Sequence, residues 1–343
     1  MKKIFILLFL GAGASAAAQT PFADCFFDKT MRFDYYHAGD SRSEEYFFDA
    51  LKEEPYWAGS KVSLVDTTGY GNQFFRIVDR ASGREIYSRG FCTLFKEWQS
   101  TPEADSVRRS YPESVVFPYP KRPCRIEIFT RNGKGRFEKR FSQNIDPDSY
   151  FIERFTPRCE TFEVMYSGNS AQRVDIVLLP EGYGAGERAK FESACRTFAD
   201  EFFSYSPYKE NAARFNVRAV WAPSDDSGVT IPGENVWRNT ACGASFYTFD
   251  SERYQMVTDF QRLRDMAAHV PYDYIYVLSN TQKYGGGGIS TFTASAPRTT
   301  PRAPEKSMST SSAICCWGWA TNMSARPPMT TCTRKISNRG NPT

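Results

Sequence analysis

The chain has 343 residues, is 41% hydrophobic and 15% aromatic, and carries 43 Lys and Arg against 39 Asp and Glu. That composition can bury a sizeable core and excludes a chain disordered throughout, and the length predicts two domains. The small positive balance does not mark a nucleic-acid binder, because residues 290–343 hold Arg298, Arg302, Lys306, Arg326, Arg334, Lys335 and Arg339 against the single acid Glu305, leaving the rest slightly acidic.

In chain order, the first segment, "MKKIFILLFLGAGASAAAQT", has Lys2 and Lys3, an apolar run from Ile4 to Leu10, and small residues at Ala16 and Ala18. This pattern predicts a signal peptide over 1–18, cleaved near Ala18, and a secreted or periplasmic protein. The apolar run is far shorter than the roughly 20 residues needed to cross a bilayer, and no later stretch is long or apolar enough, so no membrane span is expected. In such a compartment Cys25, Cys92, Cys124, Cys159, Cys195 and Cys242 are available to pair, in a connectivity the sequence does not give.

Residues 19–160 predict an N-terminal β-sandwich. "QFFRIVDRASGREIYSRGF" is two alternating runs about an Ala-Ser-Gly turn, and "CRIEIFTRNGKGRFEKRF" repeats the arrangement about Arg-Asn-Gly-Lys-Gly, giving two hairpins. "TMRFDYY" and the Pro-bounded "ESVVFPYP" read as further strands.

Residues 161–289 change to alternating strands and helices. "VDIVLLPEGY" is a continuous apolar run, expected of a strand buried on both faces. The following helix sets Phe191, Cys195, Phe198 and Phe202 on one face; the strand "FNVRAVWA", a long polar loop, a helix over 251–270 and the strand "YDYIYVLSN" come next. Tyr254, Val257, Phe260 and Leu263 are the expected apolar stripe of that second helix.

Gly285, Gly286, Gly287 and Gly288 are the candidate substrate-binding residues, since a strand without side chains lets another backbone approach closely; a flexible turn is the plainer alternative. A phosphate loop is disfavoured, because no Lys-Ser or Lys-Thr follows. Asp225 and Asp226 are expected to cap turns, not to hold a cation. His37 and His269 are the only histidines, one in each half, and are expected to be structural. No Gly-x-Ser-x-Gly elbow is present.

The succession "VDIVLLPEGY", "APSDDSGVTIPGENVWRNTACGASFYTF", "PYDYIYVLSNTQKYGGGGI" resembles the secreted IgA peptidase family of zinc metallopeptidases over about residues 20–289. The resemblance implies a zincin-like catalytic domain behind a β-sandwich, and protein or peptide substrates. It also implies a helix bearing His-Glu-x-x-His after the glycine-rich strand, with a downstream Asp as third zinc ligand and the Glu as general base. No such helix follows Ile289. Tyrosine is absent from 290–343, and the amphipathic patterning stops there. A coding sequence for His-Glu-Phe-Gly-His-Leu-Leu-Leu-Gly-Leu-Gly-Asp-Glu-Tyr, read one base late, can yield Thr-Ser-Ser-Ala-Ile-Cys-Cys-Trp-Gly-Trp-Ala-Thr-Asn-Met, the residues at 310–323. Residues 290–343 therefore read as an out-of-frame, disordered tail.

The expected architecture is α+β with two domains, the N-terminal β-sandwich followed by a truncated α/β zincin-like metalloprotease domain. The expected function is that of a truncated zinc endopeptidase, inactive because Thr310, Ser311, Ile314 and Thr321 replace His, Glu, His and Asp, so that this chain holds no catalytic residue, no metal ligand and no cofactor, zinc being that of the intact family. The alternative is a non-catalytic secreted protein that uses the sandwich to recognise a protein or glycan.

Overall fold

The computed structural model describes residues 21–289 and the backbone of residues 293–297. The expected signal peptide and the greater part of the expected tail lie outside the described residues. After one helical turn, α1 (Phe22–Cys25), the strands of the N-terminal half are β1 (Phe26–Gly39), β2 (Glu44–Glu54), β3 (Gln73–Asp79) and β4 (Glu85–Phe91). A short helix, α2 (Leu94–Trp98), leads to β5 (Arg109–Pro120), β6 (Cys124–Arg131), β7 (Phe137–Ile145) and β8 (Glu153–Arg154). They form two four-stranded sheets, ordered β5-β1-β2-β8 and β4-β3-β6-β7. Phe33, Tyr35 and Phe117 of the first meet Phe75, Ile77 and Ile126 of the second in one buried cluster, the core of the expected sandwich.

Both expected hairpins are present, as β3 with β4 and β6 with β7. β2 has no counterpart among the expected elements. Its sequence "EEYFFDALKEE" has acids at both ends and weak alternation, and pairing with β1 from Thr30–Glu54 to Gly39–Glu44 makes it a strand. The helical turn α2 was likewise unannounced; the Thr93 side chain accepts the Lys96 N–H and caps it.

The second half comprises β9 (Glu160–Met165), β10 (Val174–Glu181), α3 (Arg188–Phe202), β11 (Phe215–Trp221), β12 (Ala244–Ser245), β13 (Met256–Val257), α4 (Phe260–Ala267), β14 (Tyr274–Ser279), β15 (Gly287–Ile289) and β16 (Thr293–Pro297). Six strands run in the order β15-β16-β14-β10-β11-β9, with the four inner ones parallel and the outer two antiparallel to their neighbours. Every residue of β10 is buried, as the unbroken apolar run required. Its side chains alternate between two cores. Val174, Ile176 and Leu178 join Phe191, Cys195, Phe198 and Phe202 of α3, whereas Val177 and Leu179 join Leu263 and Ala267 of α4 on the other face. Burial of each large side chain contributes roughly 1.5–3 kcal/mol.

Three expectations are corrected. The helix expected over 251–270 is only α4: Met256 and Val257 pair with β12, and the Asp259 side chain then caps the helix by accepting the Arg262 N–H. Tyr254 and Val257 still pack on the same core, from outside the helix. The sheet does not stop at Ile289, because β16 pairs with both β14 and β15. Cys25, Cys124, Cys159, Cys195 and Cys242 are free thiols distributed over three cores, not bridged partners. Burial pushes the Cys124 thiol up to about 12.

The two halves share a core. Leu94, Phe95 and Trp98 of α2, with Ala104 and Tyr111, lie in the cluster of Val177, Leu179, Val220 and Leu263. A polar seam continues the contact: Arg32 bonds Asp34, Glu54 and Asp265 of α4, Tyr272 donates to Glu54, and the Gln261 amide donates to the Tyr35 carbonyl. Among the described residues no helix is long and apolar enough to cross a membrane.

Candidate peptide-docking edge

The four candidate glycines lie at one rim of the six-stranded sheet. Gly287 and Gly288 open β15, the outermost strand, and Gly285 and Gly286 lead into it. The absence of side chains has an internal reason at two positions. A Cβ on Gly285 would collide with the Phe246 ring and the Arg253 carbonyl, and one on Gly287 with the Tyr254 ring and the Met256 sulfur. The Gly286 N–H donates to the Arg253 carbonyl at 2.9 Å. The glycines thus seat the edge strand directly on residues 246–256, which makes it a packed strand and not a loose turn.

That support is itself fastened to the central strand. Glu181, fully buried at the end of β10, accepts the Thr240 hydroxyl at 2.6 Å and the Cys242 and Ala244 N–H groups at 3.0 Å each. Burial pushes its carboxyl up to about 7 against these bonds. Ala244 and Ser245 then pair with Met256 and Val257, so the strand pair β12–β13 carries the position of Glu181 to the wall behind Gly287. From the sandwich side, Glu97 accepts the Tyr254 hydroxyl at 2.6 Å. The signal for Glu181 was present in the sequence as an acid closing an apolar run, "VLLPEG"; the Glu97 contact, across 157 residues, left none.

The long polar loop is held at the ends of β10 and β14. Gly182, at φ +73°, approaches Gly228 so closely that a Cβ would strike its carbonyl, and the Gly228 N–H donates to the Gly182 carbonyl at 2.9 Å. Ser224 accepts the Gly182 and Ala241 N–H groups, and Asn280 donates to the Gly182 carbonyl and to Glu187. Asp225 and Asp226 clasp the loop, the first taking the Asn239 amide and the second its backbone N–H, both at 2.7 Å.

The histidines are structural, in line with the sequence reading. His37 is buried between Glu113 at 3.1 Å and Glu44 at 3.4 Å, and these carboxylates raise its pKa although burial works against the charge. His269 Nε2 accepts the N–H groups of Arg158 and Cys159.

Two family models match in succession, Peptidase M64 N-terminus over residues 21–142 and IgA Peptidase M64 over residues 162–302. The chain belongs to the IgA peptidase M64 family. Its fold is accordingly that of an N-terminal β domain followed by an M64 domain, and metallopeptidase-like chemistry on protein or peptide substrates is what this family membership supports. No curated protein matches the chain. The M64 match runs to residue 302, beyond the compositional break at 289, in step with the pairing of β16. The zinc implied by the family resemblance does not fit the described residues, among which no three His, Cys, Asp or Glu are grouped to hold a metal ion. Thr310, Ser311, Ile314 and Thr321 lie outside the described residues.

Proposed function

We propose that this chain is an exported member of the M64 family that keeps a peptide-docking edge and has lost its hydrolytic centre to a change of reading frame. The observation that carries the reading is the run from Thr310 to Met323, in which Thr310, Ser311, Ile314 and Thr321 take the places of His, Glu, His and Asp when the coding sequence is read one base late. Hydroxyl groups are poor zinc ligands, isoleucine has no donor, and no carboxylate remains as base. The M64 match ends at residue 302, short of these positions. The leader of residues 1–18 supports export.

On this reading a protein or peptide segment lies alongside β15 as a further strand, with backbone bonding for affinity and side-chain contacts for selectivity. Gly285, Gly286 and Gly287 hold that strand on its support, and the chain binds the segment without cleaving it. The test is the nucleotide sequence across codons 285–305. A single-base shift there should open a frame encoding His-Glu-Phe-Gly-His, and a stop codon in that frame defeats the reading. Expressed with the frame restored, the protein should bind stoichiometric zinc and cleave an unfolded protein substrate, whereas the present chain should do neither.

A further inference from the structure

A cleft of about 270 Å³ opens where the two halves meet, between Asp28, Tyr56, Trp57 and Lys61 of the sandwich and Tyr166 and Asn169 of the M64 domain. Tyr166 follows β9, which closes the six-stranded sheet at the rim opposite β15, so this cleft is separate from the docking edge. Junctions between domains are frequent ligand sites, and this one has fixed walls because the shared core and the Arg32 seam hold the halves together.

The lining defines a ligand chemistry. Tyr56 is 47% exposed and Tyr166 58%, so two aromatic rings from different halves face solvent. Thr30 donates to the Tyr56 backbone carbonyl at 2.5 Å, which fixes the backbone at that ring, and the Arg218 guanidinium lies 5.6 Å from the centre of the Tyr166 ring. Trp57 backs them, nearly buried, with its indole N–H turned to the Ser60 carbonyl. The charges cancel, since Lys61 pairs with Asp28 at 2.7 Å. Asn169 spends its amide oxygen on the Ala171 N–H, which leaves its NH₂ group for a guest. An anion would meet the Asp28 carboxylate, and a purely apolar guest would strip water from Asp28, Lys61 and Asn169 without replacing its bonds. A neutral sugar ring meets every condition: an apolar face for a tyrosine, hydroxyls for the carboxylate, ammonium and amide, and no net charge.

We propose that the junction cleft binds a neutral sugar ring, as a free saccharide or the terminal unit of a glycan. The site uses residues of both halves and is independent of the docking edge and of the reading frame after residue 302. Saturation-transfer NMR on the full chain tests it, with methyl glycosides of glucose, galactose, mannose, N-acetylglucosamine and N-acetylgalactosamine as probes, and glucuronate, glucosamine and a tyrosine-containing peptide beside them. At least one neutral glycoside should give saturable transfer. Tyr56→Ala and Tyr166→Ala should each weaken it about five- to tenfold. Both side chains are largely exposed, so their loss leaves the cores intact, and circular dichroism verifies this. Tyr205→Ala, which removes an equally exposed tyrosine elsewhere, should change nothing. The proposal is overturned if no neutral glycoside saturates, if only a charged sugar or the peptide does, or if binding survives both tyrosine truncations.

Discussion

The sandwich closes its core with its own residues, burying Phe75, Ile77, Phe117 and Ile126 between two sheets, whereas the M64 half completes only one face of its sheet in that way. There α3 covers Ile176 and Leu178; on the other face α4 shares the cover of Val177 and Leu179 with Leu94, Phe95, Trp98 and Tyr111 of the N-terminal half. Two family models divide the chain near residue 150, but the packing does not divide there. The boundary separates sequence modules, and the shared core predicts that cooperative units do not follow it.

The largest effect that sharpens this contrast is expected from Trp98→Ala. Removing a buried tryptophan costs about 3–5 kcal/mol, and here the loss should fall on the M64 half although the residue lies in the N-terminal half. Amide hydrogen exchange read separately at Val177 and Leu179 and at Ile77 and Ile126 decides it; protection lost only in the sandwich pair would show that the shared core carries no shared energy.

Acid titration should separate the halves next. Glu181 and Asp273 of the M64 half are pushed by burial up to about 7, above their ordinary 4.5 and 3.8. A carboxyl with a raised folded pKa favours the fold most when protonated, so its contribution is full below its unfolded value and falls as pH climbs towards 7. For Glu181 this is on the order of 3 kcal/mol. Glu44 of the sandwich behaves oppositely: against burial, hydrogen bonds from His37 and Thr130 and the Lys96 charge hold it down at about 2. Its contribution is present above 4.5 and disappears as pH falls towards 2. Urea unfolding between pH 4.5 and 7 should therefore show the M64 half weakening, and Glu181→Gln should remove its share of that slope. A slope unchanged in the variant would assign it elsewhere.

A smaller, local effect is expected at the edge strand. Gly287→Ala should cost about 1–3 kcal/mol by crowding Tyr254 and Met256, with exchange accelerated in β15. Gly133→Ala, in a sandwich turn with open space around it, should stay within about 0.5 kcal/mol, as measured by thermal unfolding.

Much of this contrast was legible in the sequence. The hairpins and β10 announced themselves because alternation and an unbroken apolar run each have one low-cost solution, and the α3 face emerged with Phe191, Cys195, Phe198 and Phe202 buried as spaced. β2 was not legible, since its strand character comes from pairing with β1 and not from its own residues. The helix expected from Ser251 failed because Met256 and Val257 pair with a two-residue strand, a contact made by the long loop that no local period encodes. At the candidate edge the glycines were legible, but not their reason. Phe246, Tyr254 and Met256 are 31 to 39 positions from the glycines they back, and only the fold brings them behind Gly285 and Gly287.

The apolar turn α2 also has a bearing on how the protein is made. A chain emerging from the ribosome can close the sandwich core once residue 152 is out, because all members of that cluster have then been synthesised. Leu94, Phe95 and Trp98 are only partly covered at that stage, by His37, Ala104 and Tyr111, since their partners in β10, α4 and β14 are still to come. The nascent protein therefore displays a sticky patch on an otherwise finished domain throughout synthesis of the second half. That patch is the surface on which a holding chaperone would act, and on which aggregation would begin if translation stalled there.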